Sequence, residues 1–234
     1  MPEQKAHIVN LLSVPLTKDK QMALQSEFQV YASATNYIIK LMIQRQINSI
    51  PKALETLGED FKKKLLILTT SSDSSELASS ASSSSQFESV FNPHNVERYR
   101  AAVVPREGTE DIGVVDWYVL QYFRDVVRTA MAEIARHRRL AMTVRSLRDR
   151  TPYLKFGRMI LSARIASITE TGCIILATNG NEIPIPFDKR SKSRELALLH
   201  SIAAGQQKYD RIRLKWHNEG YVDIDIRLGV SVFR

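Results

Sequence analysis

Near its C-terminus the chain alternates. In Arg211-Ile212-Arg213-Leu214-Lys215-Trp216 the basic side chains take the odd positions and the apolar ones the even positions. After Asn218-Glu219-Gly220, the residues Val222, Ile224, Ile226 and Leu228 alternate with Asp223, Asp225 and Arg227. A period of two predicts strands with one face buried and the other in water. Further strands are expected over 159–168, 173–178 and 183–187, and one more over 5–14, stopped by Pro15. Asn179-Gly180 predicts a type I′ hairpin turn with both central residues at positive φ. Pro184 and Pro186 cannot donate to a ladder, which places 183–187 at a sheet edge.

Between the first strand and the rest the period is helical. Thr17 is a candidate N-cap for a helix carrying Leu24, Phe28, Tyr31, Ile38, Leu41 and Met42, running to about Ile50-Pro51. A shorter helix is expected over 51–68. Ten of the fifteen residues from Ser71 to Ser85 are serine, so 71–90 reads as a flexible segment without enough apolar surface to order itself. Trp117, Leu120, Phe123, Val127, Met131 and Ile134 mark a second long helix, and Glu195 to Ala204 a short one ended by Gly205. The expected fold is α+β: a small antiparallel β-barrel, wedge- or OB-like, formed by residues 1–16 plus 152–234. A helical insertion, 17–151, interrupts it.

Charge sharpens this picture. The chain of 234 residues carries a net charge of +8, and 44% of it is apolar, enough for a core. Lys and Arg exceed Asp and Glu by eight within 119–164, whereas 71–118 is acidic by five. Arg124, Arg128, Arg136, Arg138, Arg139, Arg145, Arg148 and Arg150 fall within 27 residues. With Lys155, Arg158, the loop residues Lys189, Arg190, Lys192 and Arg194, and the strand residues Arg211, Arg213 and Lys215, they are the candidate nucleic-acid contacts. Arg136, Arg138 and Arg139 are expected to matter most, since no acid lies within two residues of them. The alternative is an Arg-rich helix that docks an acidic protein.

Catalytic patterns are missing. No Walker loop, GxGxxG, HExxH or GxSxG occurs, and the five histidines are scattered. Asp223 and Asp225 share a strand face, yet nuclease metal sites need more carboxylates than these. They are expected to pair with the basic residues of the neighbouring strand. The one cysteine, Cys173, sits in an apolar run and reads as a buried structural thiol. No catalytic residue, metal or cofactor is expected. The N-terminus lacks the charged head and apolar run of an export signal, and no segment suits a membrane span, so a cytoplasmic protein is expected.

The order of elements resembles the N-terminal part of the transposon-encoded TnpB (OrfB) family of RNA-guided nucleases. The residues that carry the resemblance are Leu11-Leu12-Ser13-Val14-Pro15-Leu16-Thr17-Lys18-Asp19-Lys20-Gln21, then Phe28, Tyr31, Asn36 and Tyr37 in a long helix. After them come a basic helical region and Tyr153-Leu154-Lys155-Phe156-Gly157-Arg158 before the return to strands. The resemblance implies a wedge-like barrel, a helical recognition lobe, and contacts to a guide-type or structured RNA. Tyr31, Asn36 and Tyr37 become candidate contacts to target-adjacent DNA. The family's nuclease domain, with its Asp-x-Gly strand and zinc ribbon, has no counterpart here. A binding protein is therefore expected, whose cleavage partner, if any, would be a nuclease chain in trans.

Overall fold

The computed structural model describes residues 8–70, 93–102, 113–188 and 193–229. The Ser-rich tract, the acidic residues Glu107, Glu110 and Asp111, and the loop residues Lys189, Arg190 and Lys192 lie outside them.

The chain opens with β1 (Ile8–Leu12), whose alternate residues Val9 and Leu11 are buried. Helix α1 (Lys18–Gln44) buries Leu24, Phe28, Tyr31, Ile38 and Met42 at the expected spacing. It ends earlier than its apolar pattern suggests. Gln46 takes a left-handed φ of 52°, its N–H bonds Ile43 O at 3.2 Å, and Ile47 N–H reaches back to Met42 O at 2.8 Å. That is a Schellman closure with glutamine where glycine is usual. The helix expected over 51–68 is two, α2 (Ile50–Thr56) and α3 (Gly58–Thr70). A short α4 (Pro93–Ala102) precedes α5 (Val114–Thr143), which buries Trp117, Tyr118, Tyr122, Phe123 and Val126. A 3-10 turn (Arg145–Leu147) then leads to the strands.

These are β2 (Arg158–Ser162), β3 (Ala166–Ile168), β4 (Gly172–Leu176), β5 (Glu182–Pro186), β6 (Tyr209–Trp216) and β7 (Val222–Leu228), with α6 (Ser193–Ala203) between β5 and β6. The strand expected over 159–168 is broken at the turn where Ile165 N–H bonds Ser162 O at 3.0 Å. Its halves enter different sheets. One sheet has the order β1-β7-β6-β2, the other β3-β4-β5, and both are antiparallel. β5, with its two prolines, does take an edge. The 177–180 turn is not type I′: Gly180 alone of its residues has positive φ, at 78°. Gly180 N–H bonds Ala177 O and Ala177 N–H bonds Asn181 O, a type I turn closed by a glycine bulge. The 217–220 turn of the β6–β7 hairpin repeats it, with Gly220 at φ 82°.

β1 pairs with β7 across the whole helical region, so the chain's two ends share a sheet. The expected barrel does not close. The sheets meet at one corner, where Ser13 bridges Phe187, Val14 N–H bonds Pro186 O and Asp188 N–H bonds Leu12 O, and again where the Tyr209 hydroxyl of β6 donates to Ala166 O of β3 at 2.8 Å. Elsewhere helices stand where further strand pairing would be needed. On the open edge of β2, the Tyr31 hydroxyl donates to Ile160 O at 2.8 Å, and the Asp125 carboxylate accepts from Ser162 N–H at 2.8 Å. Side chains from α1 and α5 thus satisfy the edge groups a neighbouring strand would have taken. Both sheets and the helices share a single apolar core. Among the described residues no helix is long and apolar enough to cross a membrane.

Candidate nucleic-acid interface

The outward face of the four-stranded sheet is a lattice of three rows set by strand register. Reading from β2 to β1, the first row is Arg158, Lys215, Asp223 and Leu12. The second is Ile160, Arg213, Asp225 and Asn10, and the third Ser162, Arg211, Arg227 and Ile8. The opposite face, with Met159, Leu161, Ile212, Leu214, Ile224 and Ile226, is buried in the core. As expected, the acids pair across the strands: Asp225 with Arg213, and Asp223 with Lys215 at 3.3 Å. Asp210 takes Arg211 at 2.8 Å.

Two pairs break the charge alternation. Arg158 stands directly opposite Lys215, and Arg211 directly opposite Arg227, a residue the sequence reading did not select. Like charges facing each other across strands destabilise a sheet. In the segment before β2, Tyr153 and Phe156 are 58% and 49% exposed, and Lys155 between them is exposed as well. The ring of Phe156 meets Phe28 edge-on at 6.2 Å.

Helix α5 adds the second basic surface. Arg124, Arg128 and Arg139 share a helix face, since four and eleven residues are close to whole turns. Arg128 and Arg211 line one small cavity with Asp125, so helix and sheet face are contiguous in charge. Of the three arginines expected to dominate, Arg136 is bound by Glu133, one turn before it, at 2.5 Å. Linear distance from the nearest acid misjudged this, because positions three apart are neighbours on a helix. Arg138 and Arg139 are exposed. Arg148 Nε donates to Ala141 O at 3.2 Å, and His137 bonds Leu147 O at 3.0 Å, so both fasten the 3-10 turn to the end of α5. Arg145 and Arg150 are exposed there. Arg194 falls in the first turn of α6.

Of the candidate DNA contacts, Tyr31 and Asn36 are engaged by partners inside the protein. Tyr31 has no exposed surface, and its hydroxyl bonds Thr129 Oγ1 at 2.7 Å as well as Ile160 O. Asn36 forms a reciprocal pair with the Leu154 backbone, donating at 3.1 Å and accepting at 2.7 Å. Both are internal fasteners. Tyr37 is half-buried, with the Lys64 ammonium 5.8 Å from its ring centre.

Two carboxylates are almost fully buried. Glu27 accepts from Thr178 N–H at 2.9 Å and Thr178 Oγ1 at 2.7 Å, and burial pushes its pKa up to about 7. Burial likewise raises Asp125 to about 6, against the lowering effect of the Ser162 N–H. Cys173 is buried and pushed up to about 12 by burial, consistent with a structural thiol. Among the described residues no group of three or more His, Cys, Asp or Glu is placed to hold a metal ion.

Sequence reasoning missed one further cluster. An open cleft of about 440 Å³ runs between α2, α5 and the β2–β3 turn. Arg124, Arg128 and Arg164 line it, together with the buried Gln121, whose Oε1 accepts from Arg164 at 2.7 Å. No protein-family model matches the chain, and no curated protein matches it.

Proposed function

We propose that this protein binds RNA, with the phosphate backbone lying on the outward sheet face and unpaired bases against Tyr153 and Phe156. The observation that carries this reading is the two cross-strand positions on that face where cation faces cation, Arg158 opposite Lys215 and Arg211 opposite Arg227. A sheet gains nothing from such pairs on its own, whereas a polyanion laid across them turns repulsion into attraction. Exposed aromatics flanking a cationic surface suit single-stranded segments of a structured RNA, whose bases can stack on side chains. Arg138 and Arg139 on α5 extend the track beyond the sheet. In Asp223 and Asp225, the acids are held by Lys215 and Arg213, which favours a binding role for this face over metal chemistry.

The arrangement of a first strand, a helical region and a return to the same sheet supports a likeness to the N-terminal part of TnpB proteins. On that reading the sheet is the wedge and the helices the recognition lobe. A guide-type RNA is then the ligand, target-adjacent DNA a second one, and any cleavage the work of another chain.

The test is fluorescence anisotropy with a labelled RNA hairpin carrying a single-stranded tail, titrated from low to physiological salt. The plot of log K against log salt is expected to fall with a slope of about −3 or steeper. Arg158→Gln with Arg227→Gln should flatten it by about one to two units. Tyr153→Ala with Phe156→Ala should weaken binding and leave the slope alone. Binding indifferent to salt, or wild-type affinity in both folded double variants, overturns the reading.

A further inference from the structure

His217 sits where β6 turns toward β7. Its N–H bonds Tyr221 O at 3.0 Å, and its ring stacks on the Tyr221 ring, with centroids 4.4 Å apart and planes inclined by 14°. Held in this way, the imidazole brings Nε2 to 2.7 Å from Asp223 Oδ2, on the outward face of the sheet. Lys215 Nζ reaches the same oxygen at 3.3 Å. Asp225, one row along, pairs with Arg213 instead.

The two contacts to Asp223 are unequal. Lys215 is half-exposed, and its flexible four-carbon stem lets the ammonium leave the carboxylate. His217 is more buried and is fixed by its stack. Its Nε2 is buried and close to the carboxylate, yet not aligned with it as a hydrogen bond. Such a contact gains from charge, which the imidazole has only when protonated. The other charged groups at this corner are Glu219 in the turn and Arg158, opposite Lys215 on β2. From the α1 side, Leu16 N–H bonds Gly220 O at 2.9 Å, and Gln21 brings an uncharged amide against Gly220.

We propose that His217 is a proton-driven switch on the RNA-binding face: its imidazolium takes Asp223 and hands the Lys215 ammonium to a backbone phosphate. His217 is thus a positioning residue, acting on the ligand through Asp223 and Lys215. With the ring neutral, the charge of Lys215 is neutralised by Asp223. With a proton taken from solvent, the nearer and more rigid cation holds the carboxylate. Lys215 then stands free opposite Arg158, and both attract the same polyanion. The proposal rests on the reading of this face as an RNA surface, and adds that acidification strengthens it.

The full chain is tested with the labelled tailed hairpin at about pH 8 and about pH 5.5, a span that brackets imidazole titration. Other groups also take up protons there, Asp125 beside Arg128 and Arg211 among them, so each variant is compared with the wild type. On acidification the wild type is expected to gain about two- to fivefold more affinity than His217→Gln. Its plot of log K against log salt should steepen by about 0.7–0.9, the equivalent of one phosphate contact. Lys215→Gln should show only the gain of His217→Gln. Asp223→Asn should bind more tightly than wild type at the higher pH, with Lys215 already free. A full wild-type gain in His217→Gln overturns the switch. So does a full gain in Lys215→Gln, since His217 would then meet the phosphate itself. In both cases salt-dependent binding leaves the sheet-face reading standing, whereas no RNA binding at either pH overturns that reading and the switch together. If His217→Gln does not fold by circular dichroism, Lys215→Gln decides.

Discussion

Replacing Glu27 with glutamine tests whether a buried charge is being held at a cost. The carboxylate of α1 reaches across 151 residues of chain to Thr178, taking its N–H and its hydroxyl. Burial lifts its pKa from an ordinary 4.5 to about 7. A raised carboxyl pKa means that the folded state binds the proton more tightly than the unfolded state. Its contribution to stability is then complete below about pH 4.5 and is lost as pH rises through about 7. The full swing amounts to about 3 kcal/mol, at about 1.4 kcal/mol per unit. Glutamine keeps an acceptor for both Thr178 donors and has no charge to desolvate. The stability of Glu27→Gln relative to wild type should therefore climb by about 3 kcal/mol between pH 4.5 and 7.5, then level off. In thermal melts of a chain this size the relative Tm should move by roughly 6–12 °C. Asp125, raised to about 6, leaves both proteins the same residual slope between about pH 4 and 6, and it cancels in the difference. Parallel pH profiles would refute the reasoning, and so would a variant that loses stability evenly at every pH.

Tyr31→Phe removes the hydroxyl that covers Ile160 O and Thr129, leaving a buried carbonyl at the β2 edge without its partner. Urea denaturation should show a loss of about 1–3 kcal/mol. Gly172→Ala would set a Cβ 2.5 Å from Ile185 O and 3.0 Å from Pro186 Cα, both on the backbone of the paired strand. Strands β4 and β5 must then part, lowering the urea midpoint by the equivalent of about 2–3 kcal/mol with an unchanged m-value.

The elements legible in the sequence were those whose own side chains announce the period. β6 and β7 alternate cleanly because one face meets the core and the other water, and α5 carries its apolar stripe over many turns. Proline marked the edge position of β5 because a missing N–H is a local fact. Other features depend on partners far along the chain. The end of α1 carried no glycine signal, since Gln46 occupies the left-handed position and the hydrogen bonds of Gln46 and Ile47 back into the helix close it. The unclosed barrel is of the same kind. Alternation shows that strands exist, but not that Tyr31 and Asp125 substitute for a neighbouring strand. Within the candidate interface, the strand residues were found from their charge. Arg227 was passed over because it follows two acids, and its position opposite Arg211 emerges only from the register. Gln121 and Arg164 looked unremarkable because their meaning lies in a contact spanning 43 residues.

The pairing of β1 with β7 has a consequence for how the protein is made. Ile8–Leu12 leaves the ribosome about 210 residues ahead of its partner Val222–Leu228. At roughly 5–20 residues per second, the N-terminal strand waits on the order of 10–40 s with Val9 and Leu11 uncovered. During that interval α1, α2, α3 and α5 can assemble on one another, but the surface they present to the missing sheet stays bare. The nascent chain is thus a natural client for a holding chaperone. Slow, topology-limited completion of the sheet should follow release, because so distant a pairing must be closed before it contributes.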